Sequence, residues 1–118
     1  MKELRGSPDC LIGKGMVAEG SLSSEGVMRI EGRCSGRITC AATVVIVEGA
    51  RVDAKIHAEN VIVAGLVHGS ITARKLVRLC PSARVRGDVK AGEFLMEAGA
   101  RLWGRVDRYG IIAQGESN

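Results

Sequence analysis

Val67-His68-Gly69-Ser70-Ile71-Thr72-Ala73 reads, at every second residue, Val, Gly, Ile, Ala, with the polar His68, Ser70 and Thr72 between them. Strict alternation of this kind marks a strand with one buried and one wet face. The same seven-residue pattern recurs as Ala18-x-Gly20-x-Leu22-x-Ser24, Cys34-x-Gly36-x-Ile38-x-Cys40 and Val52-x-Ala54-x-Ile56-x-Ala58. It continues as Val85-x-Gly87-x-Val89-x-Ala91 and Leu102-x-Gly104-x-Val106. The central positions 20, 36, 54, 69, 87 and 104 are separated by 16, 18, 15, 18 and 17 residues. Six copies at a near-constant short period define a repeat architecture.

Each repeat carries a second apolar burst, at 27–30, 44–47, 61–63, 76–79 and 94–96, too short for an ordinary helix and rich in β-branched residues. A corner of small and acidic residues follows, and Gly32, Ala50, Gly65, Ala83 or Ala100 stands four residues before each following central position. A hairpin meander would not need the whole unit to repeat. A coil in which each turn lands on the one below explains it directly, with turns about 4.8 Å apart and like residues stacked in columns. The inward columns are Cys34, Val52, Val67, Val85, Leu102; then Leu22, Ile38, Ile56, Ile71, Val89, Val106; then Ser24, Cys40, Ala58, Ala73, Ala91. Phe94 also falls on an inward column, below the last turn. The expected fold is an all-β solenoid of about six turns, a rod of roughly 30 Å.

Composition agrees with a thin aliphatic core. Of 118 residues 46% are hydrophobic, yet only Phe94, Trp103 and Tyr109 are aromatic. The net charge of +4 comes from 17 basic and 13 acidic residues without a long like-charge block, which permits weak attraction to anionic surfaces and does not demand nucleic acid. Cys10, Cys34, Cys40 and Cys80 show no CxxC spacing, and no segment has signal-peptide or transmembrane character. A reduced, cytoplasmic location is expected, with Cys34 and Cys40 as small core residues.

Three segments follow: an N-terminal segment 1–11, a β-helix polymerisation domain 12–107 and a C-terminal tail 108–118. Both solenoid ends present unpaired backbone over an apolar cross-section, and neither terminus contains an amphipathic capping helix. End-to-end polymerisation is therefore a physical expectation, through apolar joints that salt weakens little. The candidate joint residues are Ile12, Val17 and Leu22 at one end and Leu102, Trp103 and Val106 at the other.

The chain resembles the bactofilins, the polymer-forming cytoskeletal family of bacteria. The resemblance is carried by Ile12-Gly13-Lys14-Gly15, by Gly20-Ser21-Leu22-Ser23-Ser24-Glu25-Gly26 and by Arg29-Ile30-Glu31-Gly32. Further on it rests on Ala58-Glu59-Asn60-Val61-Ile62-Val63-Ala64-Gly65 followed by Val67-His68-Gly69-Ser70-Ile71, so that it covers about 12–107. It implies a right-handed, single-stranded parallel β-helix of triangular cross-section that assembles without nucleotide into non-polar filaments. It also implies a scaffold for cell shape or cell-wall machinery, with wall peptidases or synthases as partners. Family members often work at the inner face of the cytoplasmic membrane through a short N-terminal segment. Here Met1 and Leu4 are apolar and Lys2 and Arg5 basic, but Glu3 interrupts them, so a monomer would bind marginally and a polymer would multiply the contact.

Two rival classes fit less well. A hexapeptide-repeat acyltransferase would keep a six-residue clock, of which Val61, Val67, Ala73, Leu79 and Val85 are a trace, but spacings of 15 to 18 break it. Its catalytic base would be His57 or His68, which stand about 13 Å apart along the strand direction and read as surface residues. No Ser-His-Asp, HExxH or phosphate loop is present, Gly13-Lys14-Gly15 being too short, so no enzyme activity, cofactor or metal is expected. A nucleic-acid-associated scaffold would use Arg74, Lys75, Arg78, Arg84, Arg86 and Arg101, but Asp88, Glu93 and Glu97 dilute them and aromatic stacking residues are scarce.

Overall fold

Alternating side chains leave a strand's backbone groups pointing sideways, and here each strand spends them on the strand one turn further along the chain. The computed structural model describes residues 10–108, which contain twelve strands and no helix. They are β1 (Cys10–Ile12), β2 (Val17–Ser24), β3 (Met28–Ile30), β4 (Arg33–Cys40), β5 (Thr43–Ile46) and β6 (Arg51–Val63). The series continues with β7 (Leu66–His68), β8 (Ile71–Leu79), β9 (Arg84–Arg86), β10 (Val89–Met96), β11 (Arg101–Trp103) and β12 (Val106–Arg108). Every pairing is parallel and joins successive turns, giving a β-solenoid of about six turns. Cys10 and Leu11, the first described residues, already lie in β1 with Ile12.

Each turn has three sides. The first carries the stack Ala18, Cys34, Val52, Val67, Val85, Leu102, and the second carries Leu22, Ile38, Ile56, Ile71, Val89, Val106. The second apolar burst forms the third side, where Cys10, Met28, Val44, Val61, Val77 and Phe94 stack. A bulge marks the corner between second and third sides. Ala58 pairs with Ala73 and Asn60 with Leu76, so Arg74 and Lys75 together oppose Glu59. Inside, Met28, Ile30, Ile38, Ile46, Ile56, Ile71 and Leu79 are fully buried, and no charged or polar residue joins them among the described residues. Cys34 and Cys40 are buried, as their parity requires, and burial pushes the Cys34 thiol up from its ordinary pKa, with nearby Cys10 adding to the effect.

The centre of the repeat is a bend, which corrects its reading as one more inward position on a straight strand. Gly20, Gly36, Gly69, Gly87 and Gly104 all have φ between +112° and +156°. In the last three turns the strand is interrupted there, separating β7 from β8, β9 from β10 and β11 from β12. Val67, Ile71 and Ala73 are fully buried, but Gly69 is not. The alternation survives because a two-residue step across a bend returns the next side chain to the interior. A Cβ at Gly36, Gly69, Gly87 or Gly104 would run into the carbonyl oxygen of the same position one turn below. The small residues four places earlier mark the corner between third and first sides, where Ala50 and Ala83 are buried and a Cβ on Gly32 would collide with the Gly13 carbonyl.

Candidate functional site

Among the described residues each end of the coil is a rung paired on one side alone: β1 and β2 pair with β3 and β4 above them, and β11 and β12 with β9 and β10 below. At the N-terminal end Leu22 is half-buried and Val17 is 65% exposed, beside exposed Leu11 and Met16. Ile12 differs from its expected companions. It is only 4% exposed and packs in the core, so its side chain offers little surface to a neighbour.

At the C-terminal end Leu102 and Val106 lie on the first and second sides, each half-buried against the core with no strand above it among the described residues. Phe94 is on the third side, paired with Val77, and is also half-buried. Among the described residues no strand pairs with 93–96 from above, because β12 ends at Arg108 on the second side and the residues expected to follow Phe94's column lie outside the described ones. Leu102, Val106 and Phe94 are thus the last described members of one inward column on each of the three sides. Trp103 points outward and is 47% exposed, with the Arg86 guanidinium 5.0 Å from its ring centroid.

Exposure is concentrated at the ends. Among the described residues the exposed large hydrophobics are Leu11, Met16, Val17 and Val27, then Leu95, Met96 and Trp103; none lies between positions 28 and 94. Leu102, Trp103 and Val106 share the last described turn, and Leu95 and Met96, which the sequence reading did not single out, are exposed on the strand below. Leu95 and Met96 stand on the last described strand of the third side, with no described strand above them.

The long sides differ in charge. On the first side one outward column is Val17, Arg33, Arg51, Leu66, Arg84, Arg101, and the next is Glu19, Ser35, Asp53, His68, Arg86, Trp103. Across the glycine bend, Ser21, Arg37 and Lys55 align, and Ser70, Asp88 and Arg105 continue the column through rung-to-rung backbone bonds. His68, Ser70, Arg86, Asp88 and Trp103 rim one shallow hollow over Gly69 and Gly87.

Both histidines lie on the surface. His68 is exposed, with Nδ1 3.5 Å from Asp53 Oδ1, while Asp53 Oδ2 lies 3.3 Å from Arg51 Nε. His57 is exposed one turn below Thr72, near the Arg74–Glu59 pair at 3.3 Å. No group of His, Cys, Asp and Glu among the described residues could hold a metal ion, and no helix there is long and apolar enough to cross a membrane. Met1, Lys2, Leu4 and Arg5, and the tail from Tyr109 onward, lie outside the described residues.

Comparison with known proteins agrees with this geometry. Residues 10–107 match the family model for bactofilin, described as polymer-forming cytoskeletal. The chain is 35% identical over 97 residues to Bactofilin BacO of Myxococcus xanthus (strain DK1622), covering 82% of this chain and 77% of that protein. It is 31% identical over 109 residues to Bactofilin BacP of the same strain, covering 90% of this chain but 45% of BacP, so it spans less than half of that relative. No solved structure gives a significant match. Nothing in these comparisons supports the acyltransferase or the nucleic-acid reading.

Proposed function

Because this chain belongs to the bactofilin family of polymer-forming cytoskeletal proteins, we propose that its coils join end to end, without nucleotide, into non-polar filaments that scaffold cell shape or cell-wall machinery. The observation that carries this reading is the confinement of exposed large hydrophobics to the first and last turns. Among the described residues each end combines unpaired strand edges with apolar side chains, the two ingredients of strand-to-strand association. Joining two ends would extend the ladders of all three sides at once.

In the proposed joint, Leu102 and Val106 supply the apolar centre at the C-terminal end and Trp103 its outer margin, with Val17 and Leu22 the counterparts at the N-terminal end. Ile12 supports that rung from within. The chain acts as a scaffold and not as an enzyme, in the cytoplasm and at the inner face of the membrane, with cell-wall peptidases or synthases as cargo. Met1, Lys2, Leu4 and Arg5 add a weak membrane contact that the polymer multiplies.

Negative-stain electron microscopy of the purified protein without nucleotide tests the central claim. Filaments support it, and stable discrete trimers count against it. Liposome co-sedimentation with and without residues 1–6 tests the terminal contact; equal pelleting removes that segment from it.

A further inference from the structure

The outward columns of the first side and its glycine bend carry eight cations, at positions 33, 37, 51, 55, 84, 86, 101 and 105, against three carboxylates, Glu19, Asp53 and Asp88. The other described residues hold seven cations and seven carboxylates. The excess positive charge of the coil therefore sits on one long strip, whose position the net charge of +4 does not reveal. We propose that this strip is a docking surface for an anionic lipid bilayer, laid along the length of the rod.

Three observations favour a bilayer over other polyanions. The strip is a side of parallel strands that stay in register from rung to rung, so its cations lie in columns able to meet a plane together. Apolar residues interrupt the same columns: Val17, Leu66 and, at the rim, Trp103, held by Arg86. Cations interleaved with Val, Leu and Trp suit the boundary between headgroups and acyl chains. A nucleic-acid duplex would curve away from the outer columns, and base stacking would find Trp103 alone on this side. Arg33, Arg37, Lys55 and Arg101 also have no carboxylate partner among the described residues, so docking breaks no internal pair of theirs.

The strip rests on the filament reading only for its multiplicity: end-to-end assembly would repeat it along the polymer and turn weak contacts into stable attachment. It is independent of the contact assigned to residues 1–6.

The test uses the full chain with vesicles of 30% phosphatidylglycerol in phosphatidylcholine, against vesicles of phosphatidylcholine alone. Filaments are checked separately by microscopy, so a failure to polymerise is seen apart from a failure to dock. The wild type is expected to pellet with the anionic vesicles only and to be released as salt rises. Each strip charge is worth about fivefold in affinity near an anionic surface, so Arg33→Gln with Arg37→Gln and Lys55→Gln should lower vesicle affinity by roughly a hundredfold. Removing three cations elsewhere, Lys14→Gln with Arg74→Gln and Lys75→Gln, should leave most of the binding in place. Where the triple variant does not assemble, the single variants Arg37→Gln and Lys55→Gln, at exposed positions, give the same reading at about fivefold each. Equal loss from the strip and control variants overturns the proposal, as does equal pelleting with neutral vesicles. A strip-dependent shift of duplex DNA at salt that leaves vesicles unbound would assign the strip to nucleic acid instead.

Discussion

A methyl group added at Gly87 would have to share space with the carbonyl oxygen of Gly69, on a backbone whose φ is +143°. Both penalties act together, so Gly87→Ala should lower stability by on the order of 3 kcal/mol, measured by thermal or denaturant unfolding. Gly20→Ala is the contrasting case. Its φ is +112°, but a Cβ there meets nothing within 4 Å, so about 1 kcal/mol of backbone strain is all it should cost. Equal losses at the two positions would refute the close approach between turns as the reason for glycine. The thiols separate in the same way. Burial disfavours the Cys34 thiolate, so native protein at neutral pH should be alkylated at the partly exposed Cys10 and Cys80 well before Cys34 and Cys40. For Cys34 the sign with pH is fixed. Stability is unaffected while the thiol is protonated in both states, and falls as pH rises through the ordinary thiol range, because the unfolded chain ionises first.

At the scale of a strand, Ile56 stands fully buried in the middle of β6, between Ile38 and Ile71. Ile56→Ala should cost about 2–5 kcal/mol, because rungs held on both sides cannot collapse into the gap. The denaturant midpoint reports it. Such columns were legible in the sequence because one force, removal of every second side chain from water, sets the type of each residue in them. The glycine bend was not legible, since a bend and a straight strand give the same alternation. Ala54 stands where the other copies have glycine, but β6 runs on from Arg51 to Val63 without a break just as β2 and β4 run through Gly20 and Gly36. The bulge opposite Glu59 was equally hidden, because an inserted residue at a corner changes the period by one and no residue type announces it. Ile12 was misplaced in emphasis for a related reason. Parity correctly turns it inward, but parity cannot say whether an inward residue at the first rung is left open or covered.

For the whole molecule, the decisive quantities are where the coil stops and which way each side faces. The charge strip depends on the register of every turn at once, so no local pattern in the chain displays it. Leu102→Arg would place a guanidinium at the apolar centre of the C-terminal rung, and filaments seen by negative stain should disappear while circular dichroism keeps its strand signal. Trp103→Arg, at the margin, should weaken assembly less, raising the concentration at which filaments form. Polymers that persist unchanged with both substitutions would move the joint away from this end. Molar salt should leave filaments intact if the joint is apolar, while stripping them from anionic vesicles. The parallel pairing of successive turns also decides how such a filament behaves mechanically. Its backbone hydrogen bonds run along the rod axis, while the covalent chain winds around it. A pull along the axis therefore loads all the bonds of a rung in parallel, with no strand free to slide past its neighbour. Every rung inside the coil also has covalent continuity to the next; a joint between molecules has none. Under tension the filament should part at its joints into intact units, a breakable cable that can anneal again without refolding.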